Sequence, residues 1–363
     1  MELKRCNKRK STNSITLYHQ NVRSLTNKLD ELSIFMQRNH IGPQFICFTE
    51  HHLKEFEIKR VSLEGNTLAS GFCRKVSLGG GVCILIHKSI EHQPIDLSNF
   101  CYEKTLEICA VKLQLESLKL IIFCVYTAPT GNLELFFSLM EKMLNHLLQP
   151  KLTFLICGDL NINLLTKSND ASKLLTLMNT FNLTQVVDFP MRITINNKSL
   201  LDTIFIDITT YNKIQIKPFV NGLLDHDAQI ISLNKINLIP KQKVPKIKLR
   251  LINNTTTSSF QKLLKEETWN QIYVTSGINE TFNIFQDIFL RYFEASFPIT
   301  YSNRKSKQNN WITKGIRISC NKKRELFTQY RGNTDNIQAK NHYKKYCTIL
   351  RKVINEAKKT ILS

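Results

Sequence analysis

The chain has 363 residues and carries 50 Lys and Arg against 29 Asp and Glu, which gives a formal net charge of +21. A chain of this length can form one large domain or two ordinary ones. It contains no apolar run near the roughly 18 to 20 residues that span a bilayer, and no apolar stretch follows the basic start Met1–Lys10. Composition therefore argues against a membrane protein and against a secreted one, and we expect the chain in the nucleus or the cytoplasm.

The ten cysteines also argue against a secreted protein. None forms a Cys-x-x-Cys pair, and several lie inside apolar, strand-like runs. Disulfides are typical of secreted proteins, and structural zinc sites use closely spaced cysteine pairs. We therefore expect reduced and mostly buried thiols.

The positive charge is concentrated at the C-terminal end. Residues 1–240 carry 26 Lys and Arg against 21 Asp and Glu, a difference of +5, whereas residues 241–363 carry 24 against 8, a difference of +16. A strongly basic segment favours a polyanionic partner, of which nucleic acid is the commonest. The basic segment could bind RNA as well as DNA, and an anionic membrane surface or simple solubility stays open as an explanation.

After a basic N-terminal arm (residues 1–14), strand-like and helix-like segments alternate up to residue 238. Runs rich in Val, Ile, Leu and Phe predict strands, and apolar residues at helical spacing predict helices. The predicted strands are Ile15–Gln20, Gln44–Thr49, Val82–His87, Leu106–Leu115, Leu120–Tyr126, Leu152–Cys157, Leu201–Ile208 and Ala228–Leu233, and the predicted helices are Ser24–Arg38 and Leu133–Leu148. This alternation predicts a mixed α/β domain over residues 15–238.

The composition changes at residue 239. Residues 239–259 are rich in Pro, Lys and polar residues and predict a linker, and residues 260–363 predict a basic, mainly helical region. The predicted helices there are Phe260–Ile272, Glu280–Phe297, Thr313–Tyr330 and Asn341–Leu362. The last of these carries one apolar stripe, which requires a partner surface.

Polar residues border several of the predicted strands, and strand ends are where α/β folds build their sites. A single strand-end carboxylate is more often a turn former or a helix cap than a catalyst, and a single Asn or His there is unremarkable. Eight such residues occur, however: Asn21, Glu50, Tyr126, Asp159, Asn161, Asp202, Asp225 and His226.

Together these residue types could serve a metal-assisted phosphodiesterase. Glu50 is an oxygen donor of the kind that Mg²⁺ prefers. Asp159 could take the proton of an attacking water, or orient that water. His226, if Asp202 keeps it protonated, could donate N–H bonds to the charge that builds on the phosphoryl oxygens, and Tyr126 offers a further donor.

Seven short motifs occur in a fixed order: QNVRS (Gln20–Ser24), FTEHHL (Phe48–Leu53), GGGVCILI (Gly79–Ile86), VYTAP (Val125–Pro129), GDLNIN (Gly158–Asn163), LLDTIFI (Leu200–Ile206) and LLDHDAQI (Leu223–Ile230). In this order they resemble the endonuclease/exonuclease/phosphatase superfamily, and in particular the apurinic-type endonuclease domain of LINE-like (non-LTR) retrotransposons. The resemblance implies a four-layered α/β/β/α sandwich, the DNase I-like fold, over residues 15–238. A basic helical extension would follow it.

The resemblance also implies a metal site. Asn21 and Glu50 match the residues on the metal side, Asp225 is a further candidate ligand, and the metal would be Mg²⁺ or alternatively Mn²⁺. Repair-type members carry an acidic residue where this chain has Arg23, which argues against a second metal and against specificity for abasic sites. The NVRS form is common in retroelement members, so Arg23 would contact the phosphate instead.

Roles for the remaining site residues follow from the same resemblance. Asp159 matches the residue that activates the attacking water, and Asn161 matches its companion asparagine. Tyr126 matches the tyrosine that contacts the phosphate. Asp202 matches the aspartate that orients the histidine of the last motif, which here is His226.

Two segments outside the catalytic motifs extend the resemblance. FPMRIT (Phe189–Thr194) is similar to a loop that precedes the last catalytic motifs in those elements, and its Arg192 could contact DNA or be an ordinary surface charge. Trp311–Tyr330 resembles the connector that follows the nuclease in LINE-like polyproteins. A reverse transcriptase would come next in such a protein, but no paired-aspartate polymerase motif occurs in this chain.

The sequence thus predicts a Mg²⁺-dependent DNA endonuclease that nicks one strand and leaves a 3′-hydroxyl and a 5′-phosphate, as in retrotransposon target-site nicking. One alternative is a decayed retroelement remnant that binds nucleic acid through its basic C-terminal segment without cutting it. Another is a phosphodiesterase or phosphatase of the same superfamily that acts on RNA or inositol phosphates. Substrate choice in this fold depends on loops, which sequence patterns describe poorly.

Overall fold

A computed structural model describes residues 14–26, 28–115, 118–193, 198–211, 214–223, 226–234, 247–302, 311–332 and 336–362. These residues form two compact units. The first contains the described residues of 1–242 and 309–363, and the second those of 243–308. Across the described ranges no helix is both long and apolar enough to cross a membrane. The nine cysteines within them are all free thiols.

Up to residue 234 the first unit mixes strands and helices. All of the strands predicted from apolar runs are present, with shifts of a few residues at their ends. The elements are β1 (Ser14–Asn21), α1 (Leu29–Arg38), β2 (Phe45–Thr49), α2 (Glu55–Ile58), β3 (Ser62–Leu63), β4 (Asn66–Phe72), β5 (Val82–His87), β6 (Gln93–Ile95), β7 (Glu107–Gln114), β8 (Lys119–Tyr126), α3 (Leu133–Leu147), β9 (Leu152–Asp159), α4 (Asn169–Thr180), β10 (Thr184–Gln185), β11 (Arg192–Ile193), β12 (Lys198–Ser199), β13 (Asp202–Ile206), β14 (Ile214–Phe219) and β15 (Ala228–Asn234).

Two large sheets organise these elements. The first has seven strands in the order β14-β15-β1-β2-β5-β4-β3, and the second has six in the order β10-β13-β9-β8-β7-β6. Each sheet contains one parallel pair, β1 with β2 and β8 with β9. Because the strands of a parallel pair run the same way, their carboxyl ends lie together at one edge of the sheet.

The two sheets pack face to face, and helices cover both outer faces. Apolar residues of both sheets fill the space between them, for example Leu17 and Cys47 of the first sheet with Cys124 and Cys157 of the second. A second cluster joins the outer face of the six-stranded sheet to α3 and α4, and a third joins the outer face of the seven-stranded sheet to α1. The predicted four-layered α/β/β/α fold is therefore confirmed.

Local sequence explains where the outer helices begin. Asn132 caps α3, because its side-chain oxygen accepts a hydrogen bond of 3.0 Å from the backbone N–H of Leu135. Ser168 caps α4 in the same way, accepting a hydrogen bond of 3.1 Å from the N–H of Ala171. Helix α3 then places apolar residues on one face, so that it can bury that face against the sheet.

The second unit is smaller and rich in aromatic residues. It comprises β16 (Ile247–Arg250), α5 (Asn254–Glu266), α6 (Asn270–Val274), α7 (Ile278–Ser296) and β17 (Ile299–Ser302), and β16 pairs antiparallel with β17. Ring contacts between Phe260 of α5 and Phe289 and Phe293 of α7 hold the two helices together. Residues 247–250 and 254–259, which the sequence predicts to belong to a linker, are a strand and the start of a helix here.

The last two helices belong to the first unit. They are α8 (Lys314–Gly332) and α9 (Ile337–Leu362), and both pack on the α/β sandwich. The predicted apolar stripe of α9 buries Leu350 and Ile354 in a cluster with Trp311, Ile316 of α8 and Ile34 of α1. The division at residues 239 and 260 that the sequence suggests thus differs from the compact units, because distant contacts bring residues 311–362 back to the sandwich.

Candidate active site

The polar residues predicted to form a site lie at one edge of the two sheets. Asn21 ends β1 and pairs in register with Thr49, which immediately precedes Glu50. In the other sheet, Tyr126 ends β8 and pairs with Asp159 at the end of β9, and Asp159 also pairs with Asp202 at the start of β13. Strand register therefore gathers Tyr126, Asp159 and Asp202 in one sheet, although up to 76 positions of the chain separate them.

The side chain of Asn21 connects the two sheets. Its amide nitrogen donates one hydrogen bond to Glu50 Oε1 and another to Asp159 Oδ2, and both are 2.6 Å long. Asn21 Oδ1 accepts the backbone N–H of Arg23 at 3.2 Å, which fixes the direction of the amide. The two carboxylates, one from each sheet, thus share a single buried donor.

Glu50 is held as a charged carboxylate. Its backbone is in the left-handed region, with φ of 53°, so its side chain leaves the strand in an unusual direction. Burial by itself would raise its pKa, but the hydrogen bonds of His52 and Asn21 and the charge of Arg23 outweigh that effect and lower the pKa below the ordinary value. His52 Nε2 lies 3.4 Å from Glu50 Oε2, and Arg23 Nε lies 3.9 Å from Glu50 Oε1.

Asp159 is completely buried, and its pKa shifts in the opposite direction to that of Glu50. Burial, and then the nearby charge of Asp202, raise the pKa of Asp159 to about 7, although His226, Asn21 and the backbone N–H of Asn161 act against this rise. A carboxyl group with a pKa near 7 can both accept and release a proton at neutral pH. The carboxyl group of Asp159 is therefore suited to proton transfer.

His226 and Asp202 form a buried pair beside Asp159. Nδ1 of His226 lies 2.6 Å from Asp202 Oδ2, and both side chains are essentially inaccessible. Ligand-type atoms of Asp159, Asp202 and His226 all lie within 4.8 Å of one another. An aspartate in this position fixes the orientation of the imidazole.

Asn161 and Tyr126 complete the edge of the second sheet. The Asn161 amide nitrogen donates to the Thr127 carbonyl at 2.7 Å, and its backbone N–H donates to Asp159 Oδ1 at 3.1 Å. Asn161 has φ of 50°, a left-handed conformation that asparagine tolerates well. Burial and the charges of Glu50 and Asp159 raise the pKa of Tyr126 well above its usual range, so its hydroxyl keeps its proton and can act as a donor.

All three predicted substrate contacts, Tyr126, Arg23 and Arg192, are described, whereas the predicted metal ligand Asp225 is not. Arg23 lies beside Glu50, as given above, and 42% of its side chain is exposed. The backbone of Arg192 forms an isolated antiparallel bridge with His226, which brings the FPMRIT loop to the histidine. Asp225, the additional metal ligand expected from the sequence, lies outside the described residues.

A buried ion pair, which the sequence does not suggest, lies next to Tyr126 and supports the site. Arg74 Nε lies 2.5 Å from Glu107 Oε1, and Glu107 also accepts the backbone N–H of Gly81 at 2.6 Å and that of Lys104 at 2.8 Å. Glu107 pairs in register with Tyr126, and Arg74 lies 5.8 Å from the Tyr126 ring. A carboxylate at the start of a mostly apolar strand is the signal that could have drawn attention to Glu107.

The donor set fits a hard divalent cation. Carboxylate oxygens of Glu50 and Asp159 lie on either side of one amide nitrogen, and Mg²⁺ is typically held by one or two carboxylates while water and phosphate complete its shell. Asn21, as it is oriented, points its nitrogen at these carboxylates, so its predicted role as a metal ligand stays a prediction. His226 is engaged by Asp202 through Nδ1, which favours a role in hydrogen bonding over metal binding.

No protein-family model and no curated protein matches the chain. Among solved structures, the chain is similar to the endonuclease domain of TRAS1, a telomere-specific non-LTR retrotransposon, and to the AP endonuclease LMAP from Leishmania major, each with 13% identity and a TM-score of 0.49. These alignments cover 61% of this chain and 98% and 88% of those chains. A 3′-5′ exonuclease from Neisseria meningitidis aligns over 61% of this chain and all of its own length, with 13% identity and a TM-score of 0.47.

Proposed function

We propose that the chain is a metal-dependent phosphodiesterase that nicks DNA and leaves a 3′-hydroxyl and a 5′-phosphate. The observation that carries the proposal is the double hydrogen bond of Asn21 to Glu50 and Asp159. Through it, an ionised carboxylate suited to a cation lies next to a carboxyl group suited to proton transfer. Asp202 and His226 lie within 4.8 Å of that second group.

The chain's own residues have distinct tasks in such a reaction. Asp159 takes the proton from a water that attacks phosphorus in line with the departing 3′-oxygen. His226, held by Asp202, donates a hydrogen bond to a phosphoryl oxygen whose negative charge grows in the transition state, and Tyr126 offers a second donor. Asn161 holds the turn that carries Asp159.

Glu50 would hold the metal ion, with Asn21 or Asp225 as further ligands. A divalent cation there would neutralise developing negative charge on the phosphate and on the departing oxygen. We propose Mg²⁺ because the donors are oxygens. Mn²⁺ prefers the same ligands and should be able to replace it.

The substrate class and the origin of the chain rest on sequence motifs. The NVRS form with Arg23, the FPMRIT loop and the connector-like Trp311–Tyr330 favour a retroelement nuclease that acts on DNA. A panel of double-stranded DNA, RNA and inositol phosphates, incubated with the full chain and Mg²⁺, tests this choice. Turnover of an inositol phosphate without cleavage of DNA would favour the alternative superfamily activity.

The proposal is tested by nicking of supercoiled plasmid with the full 363-residue chain, with Mg²⁺ or with EDTA. We expect nicking with Mg²⁺ only, and a loss of about 10² to 10⁴ in rate for Asp159→Ala and for His226→Ala. Glu141→Gln, which changes an exposed carboxylate on the outer helix α3, is the matched control and should be as active as wild type. Wild-type activity no greater than that of the two site variants would contradict the proposal and favour a remnant that only binds nucleic acid.

A further inference from the structure

The loop that carries His226 is held by the C-terminal helix α8. Asp227, which directly follows His226, is buried, and its two carboxylate oxygens accept hydrogen bonds from the two guanidinium nitrogens of Arg331 at 2.7 and 2.9 Å. Only 15% of the Arg331 side chain and 6% of the Asp227 side chain are exposed. A two-point contact of this kind fixes direction as well as distance, because the planar guanidinium and carboxylate groups must align.

Several other contacts also hold residues 226 and 227. The Asp202 carboxylate orients the His226 ring, and the Gln20 side chain donates to the His226 carbonyl at 3.3 Å. The Asp227 N–H donates to the Met191 carbonyl at 2.9 Å. The C-terminal helices also contact this part of the chain: the Tyr343 hydroxyl of α9 donates to the Gly222 carbonyl at 3.2 Å, and Arg331 of α8 bonds Asp227, the residue adjacent to the histidine.

A simple docking role does not require this position. The C-terminal helices have other attachments to the sandwich: Lys323 forms an ion pair with Glu31 at 2.5 Å, Lys358 forms one with Asp30, and apolar residues pack around Ile34. These contacts all involve α1, on the outer face of the seven-stranded sheet. Arg331 differs from them because its partner belongs to the loop that delivers His226 to the site.

We propose that Arg331 is a positioning residue for His226, and that helices α8 and α9 therefore complete the active site. The pair holds the backbone of residues 226 and 227 in the place where the imidazole can reach both Asp202 and a phosphoryl oxygen. This inference rests on the proposed function for the catalytic part of its claim. The geometric part of the claim is that Arg331 determines the orientation of the His226 ring. It can be tested whether or not the chain is active.

The variant Arg331→Met removes the pair, and Asp227→Asn removes its charge and one of its two acceptor oxygens. Lys358→Ala is the matched control because it removes an ion pair between the same helices and Asp30 of α1. The full chain is labelled with ¹⁵N-histidine, and the ring signals of His226 are assigned with His226→Gln. We expect both pair-breaking variants to shift or broaden the ring N–H signal of His226. We expect Arg331→Lys, which keeps the charge, to restore that signal in part, and Lys358→Ala to leave it unchanged.

In the nicking assay, we expect Arg331→Met to lower kcat by about 10- to 100-fold with little change in KM, as misplacement of a catalytic group does. The double variant Asp227→Asn/Arg331→Met removes both charges and should regain thermal stability without regaining kcat. If Arg331→Met and Asp227→Asn change melting temperature only, and the His226 signal and kcat match those of Lys358→Ala, the pair is a docking contact and the inference is wrong. An inactive wild type would remove the proposed function, and the His226 signal would still decide the positioning role.

Discussion

At the scale of single residues, Asn21 joins the two sheets at the site, a role that could not be expected from an asparagine alone. A terminal asparagine of a strand is unremarkable by itself, but here one amide nitrogen bonds the carboxylates of Glu50 and Asp159 from two different sheets. These two carboxylates would otherwise repel each other, and their pKa values move in opposite directions. Such a separation of two nearby acids is a common feature of sites that need one charged and one protonatable carboxyl group.

The Asn21→Ala variant tests this role. Removing the amide leaves the buried carboxylate of Asp159 and the partly buried one of Glu50 without their shared donor, so both their spacing and their protonation should change. We expect nicking to slow by about 100-fold, as for other losses of positioning. Asn145→Ala, at an exposed position of α3, is the control and should cut plasmid at the wild-type rate. Equal rates for the two variants would show that the bridge does not matter for the reaction.

Residue patterns named most members of this candidate site, because these residues border apolar runs whose order and ends are visible in the sequence, and their catalytic roles stay predictions. They did not predict the direction of the Asn21 amide, which depends on the backbone N–H of Arg23, or the Arg74–Glu107 pair. Nor could they identify Asp227 as the partner of Arg331, since 104 residues separate the two and only tertiary packing brings them together. Pairs of this kind have no sequence periodicity.

At the scale of elements, the parallel pair β8–β9 determines how closely Tyr126 and Asp159 approach. Gly158 lies one residue before Asp159, and a Cβ at this position would clash with the Val125 carbonyl oxygen of the neighbouring strand. The clash would be with backbone, which cannot move without displacing the strand. The glycine is therefore required by the close packing of the two strands, not by a turn.

We expect Gly158→Ala to lower the free energy of unfolding by about 3 kcal/mol or more, because the added methyl group overpacks a rigid part of the core. Gly42→Ala is a suitable control, since a Cβ there meets no atom within 4 Å. Chemical denaturation of both variants followed by circular dichroism measures the difference. A Gly158→Ala variant as stable as Gly42→Ala would mean that β8 and β9 are not in the described register.

At the scale of the whole molecule, the first compact unit is built from two distant parts of the chain, the described residues of 1–242 and of 309–363. The sequence predicted the helices of residues 313–362 well, because apolar spacing marks them, but it treated them as a connector. It could not show that their apolar stripe packs against α1, because a stripe indicates only that a partner is needed. Some basic residues of α9 are paired, as Lys358 is with Asp30, whereas Lys344 and Lys352 are exposed, as the nucleic-acid binding predicted from the charge of +16 on residues 241–363 would require.

The Ile354→Ala variant tests whether α9 is an integral part of the unit. Ile354 is 3% exposed and packs in the cluster around Ile34 and Trp311, so its truncation should lower stability by about 2 to 5 kcal/mol. Ile349, 51% exposed on the same helix, is the control, and Ile349→Ala should change stability by no more than about 0.5 kcal/mol. Thermal unfolding curves of the full chain that do not distinguish the two variants would contradict the packing of α9 on the sandwich.

The central claim is that residues from both sheets meet around one metal ion and one phosphate. A crystal of the full chain grown with Mn²⁺ and a short DNA duplex, measured at the manganese absorption edge, tests it most directly. The account predicts an anomalous peak within coordinating distance of the Glu50 carboxylate, with a phosphate of the DNA between the metal and His226. A manganese ion bound elsewhere, with Glu50 and His226 touching neither metal nor phosphate, would contradict it.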